Sequence, residues 1–179
     1  MEDFVEKNRT SSSLSKEHPI WFAFLIHLFD MGFSLVVGFL IGLIIAIFFL
    51  QKGQGMPDIN LFAIKIALPI GFATSYYAGY ILYWRYTKNF LALTSLLLIA
   101  LIWGVINLVN PTFGELTKFQ TILINLVAQP MIYAAGWMTA RQTSLKLYIP
   151  PRGWIIAGFI LGGIFAFIEL IGFFARLSG

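Results

Sequence analysis

IWFAFLIHLFDMGFSLVVGFLIGLIIAIFFL, residues 20–50, contains one formally charged side chain, Asp30. A run this apolar has no place on a water-facing surface. As a helix rising 1.5 Å per residue it would be roughly 46 Å long, against about 30 Å of hydrocarbon in a bilayer. One crossing needs only about 20 residues, so the stretch divides most naturally at Asp30-Met31-Gly32. Residues 19–30 are then expected as a short interfacial helix, with Pro19 in its first turn and Trp21 as an anchor, and residues 31–50 as the first span. The alternative is one continuous tilted helix whose first turns lie in water.

On the N-terminal side, residues 1–18 are polar and mixed in charge, with Glu2, Asp3, Glu6 and Glu17 beside Lys7, Arg9 and Lys16. With Ser11-Ser12-Ser13 they read as a mobile tail, and not as a signal peptide, which would begin basic and turn apolar sooner. On the C-terminal side, Gly53, Gly55 and Pro57 mark a loop. Further spans are expected at about 61–84, 90–109, 119–139 and 154–174. They are separated by the basic turn 85–89, by Asn110-Pro111, and by a segment holding Pro150-Pro151, which no helix interior accepts. The expected fold is all-α: a polytopic membrane protein with five transmembrane helices and a short N-terminal interfacial helix, residues 19–179 forming one helix-bundle domain.

Composition agrees. Hydrophobic residues make up 59% of the chain and charged residues 11%, with a mean hydropathy of +0.83. Soluble domains carry about 25% charged residues. The absence of cysteine excludes disulfides and thiolate metal sites. The two histidines, His18 and His27, lack the i, i+4 spacing of a helical metal pair, so neither a metal nor a cofactor is expected. The net charge of +4 is scattered among short loops and points to membrane orientation, not to nucleic acid. Lys7, Arg9, Lys16, Arg85, Lys88, Arg141, Lys146 and Arg152 fall on one side of the membrane, and Lys52, Lys65, Lys118 and Arg176 on the other. The positive-inside rule then places the N-terminus in the cytoplasm and the C-terminus outside.

Three features carry candidate sites. Small residues recur every four positions at Gly38, Gly42 and Ala46, at Ala67, Gly71, Ser75 and Gly79, and at Gly158, Gly162 and Ala166. They let backbones approach where water does not drive helices together. The segments Gly38–Ala46 and Gly158–Ala166 also resemble one another, although low compositional variety alone produces such matches. Secondly, Lys65, Asn107, Asn125 and Glu169 fall at a shared depth, roughly 3 to 9 Å below the outer boundary by helical rise. A Lys65–Glu169 pair would neutralise both charges there; a snorkelling Lys65 is the alternative. Thirdly, Tyr76, Tyr80 and Tyr83 form a stripe in the cytoplasmic half of the second span, where aromatic belts anchor helices or a flat ligand could stack. Pro69 and Gln129-Pro130 are expected to bend their helices.

No hydrolase, metalloprotease or phosphate-loop motif is present, and no enzymatic activity is expected. His27 and Asp30 share a helix face but, at an interface, read as solvated. Two functions fit: a subunit or assembly partner of a larger membrane complex, touching lipid and either other subunits or itself, or a solute-binding or permeating bundle.

Overall fold

The computed structural model describes residues 18–51, 59–110, 116–143 and 147–178, with 49–51 and 59–66 described by backbone alone. All regular structure among the described residues is helical. Four helices are long and apolar enough to cross a bilayer: Pro19–Phe48, Phe90–Val109, Lys118–Gln142 and Arg152–Leu177. We name the elements α1 (Pro19–Gln51), α2 (Ile59–Ile81, running on into a π-helical turn at Leu82–Tyr86), α3 (Phe90–Val109), α4 (Lys118–Gln142) and α5 (Arg152–Leu177).

The expected break at Asp30-Met31-Gly32 does not occur; α1 is a single helix of 33 residues. It has no internal proline past its first residue, and one interior glycine costs a helix only about 1 kcal/mol. Residues 19–30 are therefore the opening turns of α1 and not a separate helix. An interfacial helix would expose a polar face. This stretch instead buries Ala23, Ile26, His27, Phe29 and Asp30, none more than 2% exposed, against the other helices.

Glycines set the helix crossings. A Cβ added to Gly162 would collide with the Leu28 carbonyl and lie 3.1 Å from the Gly32 nitrogen, so α1 and α5 meet backbone to backbone. On α2, Gly79 faces the Tyr133 carbonyl; on α4, Gly136 faces the Tyr76 carbonyl, and Gly104 of α3 lies against Asn125 and Leu126. Helices within lipid associate through such close packing. Gly158, Gly162 and Ala166 are buried on α5, whereas nothing lies within 4 Å of a Cβ placed on Gly38, Gly42 or Gly71.

Successive helices alternate in direction. Phe22 at the start of α1 stacks on Tyr86 at the end of α2, ring centroids 5.1 Å apart. At the opposite end, Arg176 near the end of α5 donates to the Val109 carbonyl at the end of α3. The apolar core lies towards the first of these ends: Ala23, Ile26 and Phe29 pack with Ile81, Leu82, Leu93, Leu96, Trp137 and Ile155. The outside is as apolar as the inside, with Phe39, Ile44, Ile102, Met131, Ile160 and Phe167 all more than half exposed on four different helices. An exterior of that kind belongs in lipid.

Local chemistry fixes the ends and the bends. The Asn89 side chain caps α3 by accepting from Leu91 N–H at 2.9 Å. Thr117 and Gln120 form a reciprocal capping box at the start of α4. Pro130 has no N–H to offer the preceding turn. The helix widens there into π geometry at Leu123–Ala128, and Gln129 N–H reaches back to the Ile124 carbonyl. Pro69 causes no such break in α2.

Candidate functional site

Six polar side chains meet in the bundle interior. Asp30 of α1 is 2% exposed. Its Oδ2 accepts from Ser75 Oγ at 2.7 Å and from Tyr133 Oη at 2.5 Å, and its Oδ1 from Ser34 Oγ at 3.5 Å. Ser34 also bonds Thr74, whose hydroxyl reaches the Gly71 carbonyl at 3.0 Å. His27 Nδ1 lies 3.1 Å from Tyr133 Oη. Tyr133 has a single hydroxyl proton and directs it at Asp30, so His27 Nδ1 carries the proton in this contact and Nε2 is left as an acceptor. Nε2 has no hydrogen-bond partner among the described residues, and the imidazole stands edge-on to Trp103 at 5.8 Å.

Helical geometry assembles the cluster. His27, Asp30 and Ser34 occur at i, i+3 and i+7 and so share one face of α1. Thr74 and Ser75 come from the middle of α2, and Tyr133 from α4 one turn past the widened segment. Gly79 and Gly136 bring α2 and α4 close enough for Ser75 and Tyr133 to reach the same oxygen. Among the described residues Asp30 has no cationic partner; hydroxyl groups alone solvate it. Carboxylates inside a membrane are costly, and hydrogen bonds of this kind offset part of that cost.

Four members of the cluster, His27, Asp30, Ser34 and Ser75, form one wall of a cavity of about 220 Å³. The remaining walls combine Ala67, Leu68, Gly71 and Phe72 of α2, Trp103 and Asn107 of α3, Ile124, Asn125 and Gln129 of α4, and Phe165 of α5. The π turn presents both Asn125 and Gln129 to this space, and Asn125 Nδ2 also donates to the Thr121 carbonyl at 3.1 Å.

Of the polar layer expected from sequence, the structure brings Asn107 and Asn125 together at the cavity. Glu169 is buried at 7% exposure on α5 and is not among the lining residues. The Lys65 side chain, and with it the Lys65–Glu169 pair, lies outside the described residues. Of the small-residue face on α2, Ala67 and Gly71 line the cavity, Ser75 donates to Asp30 and Gly79 packs on α4. Gly38, Gly42 and Ala46 of α1 are only half-buried. Tyr76, Tyr80 and Tyr83 lie away from the cavity: Tyr80 Oη accepts from Leu147 N–H at 2.7 Å, and Tyr83 meets Trp137 edge-to-face at 5.1 Å.

His27 and Asp30, read from sequence as solvated, lie at the centre of the site. The reason is the continuity of α1, which carries them into the bundle. The signal was present in the polar face that they share with Ser34 within an otherwise apolar segment. The chain matches no protein-family model, no curated protein and no solved structure.

Proposed function

We propose that the chain is a solute-binding or solute-permeating helical bundle whose site is the cavity beside Asp30. The observation that carries this reading is a carboxylate, 2% exposed and without a cationic partner among the described residues, on the wall of a cavity of about 220 Å³ inside an apolar bundle. Ionisable groups at such depth mark solute, ion or proton pathways. In this reading five helices cross the membrane, α2 with its π turn supplying the fifth crossing. The N-terminus lies in the cytoplasm and the C-terminus outside, following the distribution of lysine and arginine. An interfacial role is retained only for the first turn of α1, where Trp21 is 57% exposed. The reading is non-enzymatic.

The absence of cysteine makes a direct test straightforward. Single cysteines at Gly71 and Asn125 should react with a water-soluble thiol reagent, because a thiol must ionise in water to attack. A cysteine at Ile160, which is 59% exposed on the outside of α5, should stay unreactive. Equal inertness at all three positions would show a dry cavity and remove the reading.

A second reading, as a subunit of a larger membrane complex, draws support from the outer half of α1. Gly38 and Gly42 have open space before them, beside exposed Phe39 and Leu43. Purification from native membranes in mild detergent separates the two. A stoichiometric partner favours the subunit; a homogeneous single species or homo-oligomer favours the solute site.

A further inference from the structure

We propose that the cavity is selective for a small organic cation bearing an ammonium group, with Asp30 as its counter-ion. The inference rests on the solute-binding reading and names the class of solute.

Charge gives the first argument. Among the described residues lining the cavity there is one acid, Asp30, and no lysine or arginine. In a low-dielectric surround an uncompensated carboxylate attracts cations and excludes anions.

Unfilled acceptor capacity gives the second. A carboxylate offers about four acceptor positions. Asp30 Oδ2 is engaged by Ser75 and Tyr133, whereas Oδ1 is held loosely: the Ser34 hydroxyl stands at the long limit of 3.5 Å, and the Thr74 hydroxyl beside it donates to the Gly71 carbonyl. One helical turn away, His27 Nε2 is a second acceptor without a hydrogen-bond partner among the described residues. An unpartnered acceptor and a loosely held carboxylate oxygen on one face of α1 suit a ligand rich in N–H donors, and an ammonium group carries up to three.

Size and wall character give the third. At about 30 Å³ per water, the cavity has room for roughly seven waters, far more than a bare alkali ion fills. The lining also holds aromatic rings, Trp103, Phe72 and Phe165. They suit the alkyl part of an organic cation and its charge, and contribute nothing to the close oxygen shell of a metal ion.

The test uses the full-length protein in lipid nanodiscs with three probes of one shape: propylammonium, neutral propanol and anionic propionate. Calorimetry should show saturable binding of propylammonium and none of propionate. Asp30→Asn should weaken propylammonium about tenfold or more, as expected for loss of a charged hydrogen bond, and leave propanol unchanged. Gly71→Phe, which fills the cavity while keeping the Asp30 carboxylate in the chain, should abolish propylammonium binding, so the proposal stays testable even where Asp30→Asn does not fold. Propanol binding as tightly as propylammonium, or sodium chloride displacing propylammonium at equal concentration, would overturn the ammonium assignment and leave the cavity reading in place. Failure of every probe to bind while a cysteine at Gly71 reacts would do the same. Failure of every probe together with an inert cysteine would remove both.

Discussion

Tyr133 holds the polar cluster together. Its hydroxyl touches both His27 and Asp30, and the ring is fully buried. Tyr133→Phe keeps the ring and removes the hydroxyl, leaving one carboxylate oxygen short of a donor and Nδ1 of His27 without an acceptor. The expected cost is about 1–3 kcal/mol, the penalty for stranding buried polar groups, read as a lower melting temperature in detergent. Ser34→Ala removes a contact at the 3.5 Å limit and should cost much less. A double-mutant cycle between Tyr133→Phe and Asp30→Asn should show coupling above about 0.5 kcal/mol; additivity would mean that the hydroxyl and the carboxylate act independently. At this scale the sequence was half legible. Asp30 is conspicuous as the single charge in residues 20–50, and the shared depth of Asn107 and Asn125 is readable from helical rise. That Ser75 would serve as a hydrogen-bond donor and not merely as a small packing residue was hidden, because a helical repeat says which residues share a face and not what that face meets.

The α1–α5 crossing offers the sharpest test at the level of helices. Gly162 has the Leu28 carbonyl where a Cβ would go, whereas its neighbour Gly163 and Gly38 of α1 have nothing within 4 Å. Gly162→Leu should therefore force the two backbones apart and lower stability by about 1–3 kcal/mol or more. Gly163→Leu and Gly38→Leu should be close to neutral in detergent. Three equal melting temperatures would mean that α1 and α5 do not cross here. Helix ends were the most legible part of the chain, since Asn110-Pro111 and Pro150-Pro151 admit few readings; α3 runs Phe90–Val109, the span expected from sequence. The unbroken course of α1 was not legible, because Asp30 and Gly32 are individually what an interfacial break would contain. Only the packing of α5 against Gly32 explains why that glycine sits inside a helix.

For the molecule as a whole, the proposal of five crossings would put the two ends of the chain on opposite sides of the membrane. A reporter enzyme fused after Gly179 should be active outside and silent in the cytoplasm; the reverse would overturn the crossing number or the orientation. The helices are also unequal in reach. At 1.5 Å per residue, α3 is about 30 Å long and α1 about 50 Å. The last described turns of α1 still expose Ile44, Ile47 and Phe48. One flank of the protein therefore presents a taller greasy wall than the other. Around it the surrounding acyl chains must stretch or the bundle must lean, each at a fraction of a kcal/mol per ångström of mismatch. The protein should then report on bilayer thickness: its melting temperature should rise as the reconstituting lipids lengthen from 14 to 20 carbons, by the general cost of exposed apolar surface. The same asymmetry would bias it towards the thicker regions of any membrane that contains both.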